Sequence, residues 1–290
     1  MPLQTTEAIV IGGHNLGEAD RIIPFFTRRL GKIRAVAKGA RRIRSRFGGT
    51  LELFTLGQLV FFERPNRTLH SINEFSVIDS FAALKADLDR LSRGAYLVEL
   101  AGAAVEDEEP NEEIFLLLRD ALEMLVSHDD HRLLRTFEIR LLRIAGYLLE
   151  LYRCLSCRIL VDQGNTSSAG GTPVSMSVGS APSPLSSPPV GGEGWVRGDF
   201  RGNELAISLS RGGLVCSKCQ ARAQDKLPIS PESLSYLRSV LVGGLDTSLT
   251  IPLPPPHSHD LQELLKVSIA YFLCRNLRSL TFINLVEQGF

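Results

Sequence analysis

Two cysteine pairs carry the sharpest chemistry in this chain. Cys154-Leu155-Ser156-Cys157 is matched, after 58 intervening residues, by Cys216-Ser217-Lys218-Cys219. A C-x-x-C pair delivers two sulfurs from one turn, and four thiolates are the ligand set of a closed tetrahedral zinc site with Zn–S near ~2.3 Å. Redox exchange within a pair and plain unligated thiols are the competing readings. Gly212-Gly213, just before the second pair, permits the tight backbone such a knuckle needs. Arg153, Arg158, Arg211, Lys218 and Arg222 flank the ligands and would offset the negative charge of a tetrathiolate centre. Four sulfurs leave no position for water or substrate, so the expected role of Zn2+ is structural: metal binding there contributes folding energy and not catalysis.

A second chemistry lies in Gly31–Phe54, GKIRAVAKGARRIRSRFGGTLELF. Lys32 to Val36 alternates with the period of a half-buried strand, and then five of the nine residues from Lys38 to Arg46 are Lys or Arg. Gly48-Gly49 breaks the run before a second expected short strand, Leu51 to Phe54. A connection with no apolar face to bury stays in solvent as concentrated positive charge. Its natural partner is a polyanion, because each cation that meets a phosphate releases condensed counterions. The bland alternative is a solvated loop that aids solubility. Phe47, beside Arg46, could stack on a base, although most phenylalanines of the region (Phe25, Phe26, Phe54, Phe61, Phe62 and Phe75) are expected to fill a core.

Net charge is zero across 290 residues, yet the charge is unevenly placed. Residues 1–80 hold twelve Lys or Arg against seven Asp or Glu, whereas Val105 to Asp130 carries ten acids opposed only by Arg119. The first residues, MPLQTTEAIVIGG, lack the basic region and cleavage site of a secretory signal, and no window of about 18 residues is both free of charge and apolar, since the uncharged run 163–192 is rich in Gly, Ser and Pro. The expectation is a cytoplasmic protein with no membrane partner, in which disulfides are disfavoured. No G-x-x-x-x-G-K-[ST] phosphate loop, H-E-x-x-H or G-x-S-x-G elbow is present, so no nucleotide hydrolysis or other enzymatic activity is expected.

The elements that must position these groups divide at residue 80. Before it, Thr6–Ile11, Arg21–Thr27, Lys32–Ala37, Gln58–Glu63 and Leu69–Ile78 read as strands, which suggests a five-stranded OB-type barrel. After it, helical spacing takes over. Ser80 and Ser92 are expected to cap helices over Phe81–Leu91 and Arg93–Val105. Glu112–Ser127 and His131–Tyr152 follow, the latter as the central helix. Gly164 to Gly194, rich in Gly, Ser and Pro, is expected to be a disordered excursion within a zinc module spanning 153–222. Trp195 and Leu205–Leu209 return to strand-like character, with Trp195 expected to pack. Ser230-Pro231-Glu232 starts another helix that ends near Gly243-Gly244. A proline-rich connector holds His257 and His259, expected to be solvated. The last helix spans Asp260 to about Leu277, with Cys274 a packed thiol. The fold class is therefore α+β: an N-terminal nucleic-acid-binding barrel over 1–80 and an all-α domain over 81–290 that carries the four-cysteine module.

These pieces resemble the RecO family of bacterial DNA repair proteins. The likeness rests on Gly17-Glu18-Ala19-Asp20-Arg21, Phe26-Thr27, Gly31-Lys32, Ala37-Lys38-Gly39-Ala40-Arg41-Arg42, Ser45-Arg46-Phe47-Gly48-Gly49, Leu51-Glu52-Leu53-Phe54, Tyr96 to Leu100, the cysteine pairs with Gly212-Gly213, and Leu277-Arg278-Ser279-Leu280. Only the Gly/Ser/Pro-rich insertion departs from the family's shorter zinc loop. The resemblance implies an OB fold followed by a helical domain with a zinc finger. It implies binding of single- and double-stranded DNA, annealing of complementary strands, and action in the RecFOR pathway and the SOS response. There such proteins act with RecR, and in many systems RecF, to help RecA replace single-stranded-DNA-binding protein at gaps. It implies DNA contacts at Lys32, Arg34, Lys38, Arg41, Arg42, Arg44 and Arg46, and zinc ligation by Cys154, Cys157, Cys216 and Cys219. A protein-binding adaptor and an RNA-binding OB protein are the readings from other classes.

Overall fold

The computed structural model describes residues 2–64, 68–128, 131–147, 149–161, 205–246, 250–252 and 257–273. Two compact units are formed, one by Met1–Leu148 with Glu232–Phe290 and the other by Leu149–Pro231.

In the first unit, β1 (Leu3–Val10), β2 (His14–Leu16), β3 (Asp20–Thr27), β4 (Gly31–Ala37), β5 (Leu56–Phe62) and β6 (Leu69–Asp79) form a sheet ordered β1-β5-β6-β4-β3-β2. The additional β1–β3 pairing, Ala8 opposite Thr27 to Val10 opposite Phe25, closes five of these strands into a barrel. All contacts in the ring are antiparallel except β4 with β6, which run parallel from Arg34/Leu69 to Val36/Ser71. Closure leaves no long exposed edge, and β2 is a short appendage on β3. Alternation aims Ala8, Val10, Ile23, Phe25, Ile33, Ala35, Leu59 and Phe61 into one core, which Ile72 and Phe75 of β6 both join because a register irregularity lies between them. Phe25 and Phe75 meet there with ring centroids 5.5 Å apart. Gly57 lies where a Cβ would overlap the Phe75 ring and the Ser76 carbonyl, so the close approach of β5 to β6 at that point needs glycine.

The helices among the described residues are α1 (Ala82–Lys85), α2 (Leu88–Ala104), α3 (Glu112–Ser127), α4 (His131–Ile144), α5 (Pro231–Val242) and α6 (His257–Leu273). Three expectations need correction. Ser92 is not a cap but is buried inside α2, whose N-cap is Asp87, its carboxylate accepting from the Arg90 N–H. Ser80 likewise yields to Phe81, which precedes α1 in a left-handed conformation. The central helix stops at Ile144, eight residues before the expected Tyr152. Gly146, at φ 88°, donates to the Arg143 carbonyl and Tyr147 to that of Leu142, the two bonds of a Schellman end. The lone glycine after a strongly apolar run was the stop signal.

α3 starts as expected, with Asn111 accepting from the Ile114 N–H and Glu112 and Glu113 in its first turn. α5 starts at Pro231 and ends before Gly243, also as expected. α6 begins three residues earlier than expected, at His257, and buries Leu261, Leu264, Leu265 and Ile269. Cys274, Arg275 and the chain beyond Leu273 lie outside the described residues, as do the insertion 164–194 and Trp195. No helix among the described residues is long and apolar enough to cross a membrane.

The second unit holds β7 (Leu205–Ser208), β8 (Gly213–Val215) and β9 (Lys226–Ile229), a three-stranded antiparallel sheet ordered β8-β7-β9. The strand-like character of Leu205–Leu209 is thus part of a real sheet inserted in the helical domain. Asp225 ties its turns by accepting from Ser208 Oγ at 2.7 Å and from the Ser210 N–H at 2.7 Å. Some burial opposes ionisation of Asp225, but these donors outweigh it and hold its carboxyl below the ordinary range.

Candidate nucleic-acid interface and metal centre

The basic connection leaves β4 at Lys38 and returns to β5 at Leu56. The expected strand Leu51–Phe54 does not form; the whole segment is a succession of turns. Ser45 N donates to the Arg42 carbonyl, Gly48 N to Ser45 and Thr50 N to Phe47. Gly39, at φ 70°, and Gly48, at φ 45°, supply the left-handed positions that such turns require. Consecutive glycines and the absence of a partner strand explain why an alternating tetrapeptide did not become a strand.

The connection is nevertheless anchored. The Gly39 N–H donates to Asp20 Oδ1 at 2.7 Å, and the Arg41 N–H to the Ala19 carbonyl at 3.0 Å. Phe54 N donates to the Val10 carbonyl and Val10 N to that of Thr55, which stitches the far end to β1. Phe47, Leu51 and Phe54 are all buried. Phe47 belongs to the barrel core at 3% exposure, with the Arg46 guanidinium 4.8 Å from its ring centroid. Its ring is therefore covered and not presented to a base, which corrects the stacking role considered for it. Phe54 sits against Gly94 of α2, where a Cβ would come within 3.0 Å of the ring.

The seven candidate cations fall into two groups. Lys38, Arg41, Arg42, Arg44 and Arg46 are exposed on the connection, together with the wholly exposed Ile43 between two of them. Arg41 Nη1 donates to the Gly17 carbonyl and Arg46 Nη2 to that of Ile72, both neutral acceptors that leave the positive charge uncompensated. Lys38, Arg42 and Arg44 make no side-chain bond among the described residues. Lys32 and Arg34 are differently placed. Both engage Asp107, Arg34 at 2.5 Å and Lys32 at 3.3 Å, and Lys32 Nζ also donates to the Gly102 carbonyl at 2.7 Å. Slight burial works against ionisation of Asp107, but the Arg34 hydrogen bond and the Lys32 charge outweigh it and lower its pKa.

The acidic run of the sequence thus has a structural role. Asp107 bridges Lys32 in parallel, and the Glu108 N–H donates to the Lys32 carbonyl, so this segment lies along β4 beside the start of its pairing with β6. Arg28 on the adjoining turn is held by Glu7 at 2.8 Å and Glu112 at 2.7 Å. Arg21, expected only as the start of a strand and not among the candidate contacts, faces the connection, its Nη1 3.5 Å from the Leu51 carbonyl. Its place two residues before a buried strand position was the available signal.

In the other unit the two cysteine pairs converge. Leu155 N donates to the Leu214 carbonyl and Arg158 N to Cys154, closing the first turn with Arg158 at φ 62°. Cys216 precedes a 3-10 turn, Ser217–Arg222, into which Cys219 N and Gln220 N both donate back to the Cys216 carbonyl. Gly212 and Gly213 serve a different purpose from that expected: they turn β7 into β8, and a Cβ on Gly213 would overlap the backbone of Glu150, to which β8 is bonded.

All four Sγ atoms lie within 4.8 Å of one another. Cys157 and Cys216 sulfurs are 3.7 Å apart, close to the ~3.8 Å edge of a tetrahedron with Zn–S bonds near 2.3 Å and far beyond the ~2.05 Å of a disulfide. Burial opposes ionisation of Cys154, but N–H groups of Cys157, Cys216 and Ser156 aimed at its sulfur bring its pKa down to about 6. Cys216 is pushed up to about 12 by burial and by the neighbouring sulfurs. Four sulfurs gathered this closely, one of them, Cys216, held protonated by burial and its neighbours, are a donor set suited to a metal cation. The group fits a metal ion of thiolate preference.

Barrel, helices and cysteine centre together define the class of protein: an OB-type barrel followed by helices, with a four-cysteine candidate metal site. The family model "Recombination protein O N terminal" matches residues 1–81, and "Recombination protein O C terminal" matches residues 85–190 and 196–281. Curated relatives named DNA repair protein RecO include that of Anaeromyxobacter sp. (strain K), 32% identical over 277 residues that cover 95% of this chain and 94% of the relative. Those of Roseiflexus sp. (strain RS-1) and Nocardioides sp. are each 30% identical, covering 98% and 97% of this chain and 86% and 99% of theirs. The chain belongs to the RecO family of DNA repair proteins.

Proposed function

We propose that this protein is a non-enzymatic mediator that binds single- and double-stranded DNA, anneals complementary strands and, with RecR and, as in many systems, RecF, helps RecA displace single-stranded-DNA-binding protein at gaps. The observation that carries the proposal is the anchored connection whose five exposed cations, Lys38, Arg41, Arg42, Arg44 and Arg46, have no acidic partner among the described residues. Such a surface neutralises phosphates without reading bases. Two strands held by their backbones repel each other less, and their base edges stay free to pair. Lys32 and Arg34 extend this surface when Asp107 is displaced.

In this proposal residues 1–80 are the DNA-binding domain, residues 81–290 the helical domain that meets protein partners, and the protein works in the cytoplasm at the nucleoid. Cys154, Cys157, Cys216 and Cys219 hold Zn2+, whose part is to stabilise the module, since four protein ligands leave it no reactive position.

The test is annealing of complementary oligonucleotides coated with single-strand-binding protein, without nucleotide, over a salt titration. Acceleration that fades as salt rises is expected. Reversing Arg41, Arg42, Arg44 and Arg46 to Glu should abolish it and flatten the slope of log affinity against log salt. An unchanged slope in that variant would remove the connection from the DNA site.

A further inference from the structure

We propose that Ile43 is an apolar wedge that inserts between neighbouring bases of the duplex DNA whose phosphates the flanking arginines hold. This deepens, and rests on, the assignment of the basic connection as the DNA surface.

Ile43 is the most exposed large hydrophobic residue among those described, at 105% of its reference area, while Phe47, Leu51 and Phe54 of the same connection are buried and Ala40 and Leu53 are half-buried. It is also not on a frayed segment. The Ser45 N–H bonds the Arg42 carbonyl at 2.9 Å, which sets Ile43 and Arg44 at the two corners of a turn. The base of that turn is fixed on one side by Gly39 to Asp20 and Arg41 to Ala19, and on the other by the buried Phe47. A β-branched side chain has few rotamers to lose on insertion, so little ordering entropy opposes its use as a probe.

The neighbours supply the rest. Arg42 and Arg44 lie on either side of Ile43 in sequence, both exposed and without a side-chain bond among the described residues. Arginines on phosphates bring the turn against the groove, where a protruding apolar side chain meets base edges. Proteins that kink DNA use Ile, Leu, Met or Phe in this way, partly unstacking a base step. For a strand-pairing protein the consequence is a local weakening of stacking where strands must exchange partners. An isolated surface isoleucine is ordinary elsewhere. Here its position at a fixed corner between two arginines is what assigns it a ligand.

The experiment uses the full chain and a short duplex in which every adenine of one strand is 2-aminopurine, whose fluorescence rises when it is unstacked. Wild-type protein at saturation should raise the fluorescence. Ile43→Ser should lose most of that rise and bind roughly tenfold more weakly, with an unchanged salt slope because no charge is removed. Its melting temperature should match the wild type, since Ile43 touches nothing. An Ile43→Ser variant with the wild-type rise and affinity, or wild-type binding with no rise, overturns the wedge. Undiminished binding by the variant with Arg41, Arg42, Arg44 and Arg46 all changed to Glu instead overturns the underlying assignment of the DNA surface.

Discussion

Arg34 of β4 and Asp107 of the segment between α2 and α3, 73 residues apart in the chain, meet at 2.5 Å. The pair neutralises a cation that by position belongs to the basic surface, and it uses the acidic run to do so. Replacing Asp107 by Asn should release Arg34 while Lys32 stays on the Gly102 carbonyl. DNA affinity should then rise, and the salt slope should steepen by about one, since each phosphate contact contributes about 0.9. Anisotropy titrations at several salt concentrations measure both. The pair also has a pH sign. Because the folded pKa of Asp107 is lowered, its stabilisation is present above the ordinary carboxylate value and is lost as pH falls through the lowered one. Melting curves of the wild type and Asp107→Asn should converge in acid.

Gly31 is where that segment can approach the barrel. Its φ is 68°, and a Cβ there would overlap the backbone of Glu109. Gly31→Ala should destabilise the protein by about 1–3 kcal/mol and loosen residues 105–111 first. Faster amide exchange in that stretch, with the barrel core still protected, is the expected pattern.

Cys154→Ser, or chelation of the wild type, should remove zinc and unfold the small sheet, because metal binding to such a site is folding energy of order 10 kcal/mol. Metal analysis should find zinc in the purified wild type and none in the variant. Hydrogen exchange over 205–229 should rise sharply while the barrel remains protected. Unchanged protection after chelation would leave the four thiols without a metal role.

Glu138 of α4 is wholly buried; its Oε1 accepts from Tyr96 Oη at 2.5 Å and its Oε2 lies 2.9 Å from Arg135 Nη1. Burial raises its pKa, and Arg135 and Tyr96 offset this only in part. A raised folded pKa means stability that is full in acid and declines as pH rises through that value. Tyr96→Phe removes a donor to the ionised form, at about 1–3 kcal/mol. The loss should be larger at pH 8 than at pH 5. Thermal melts at the two pH values test the sign.

Much of this molecule was legible as local pattern. Period-2 alternation marked the barrel strands, 3.6-residue spacing marked α3 and α6, and Pro231 marked the start of α5, because backbone geometry imposes those periods on any chain that buries one face. The cysteine spacing announced a four-sulfur centre for the same kind of reason: two residues between ligands is what one turn can span. The basic string was equally plain, since five cations in nine residues cannot be buried.

Other features were decided only in three dimensions. Phe47 and Ile43 are four residues apart in one charged connection, yet the phenylalanine is in the barrel core and the isoleucine stands fully in solvent. Neither hydropathy nor spacing distinguishes them; the anchoring of the turns does. Lys32 and Arg34 carry the same charge in sequence as Lys38 and Arg41, and nothing in the strand pattern announces that only the first two meet Asp107. Charge is a property of a residue, but its neutralisation depends on the distance to a partner, and Coulomb energy falls with that distance whatever the separation along the chain. Barrel closure and the return of the acidic segment along β4 set those distances, and so decide which cations remain without an acidic partner among the described residues.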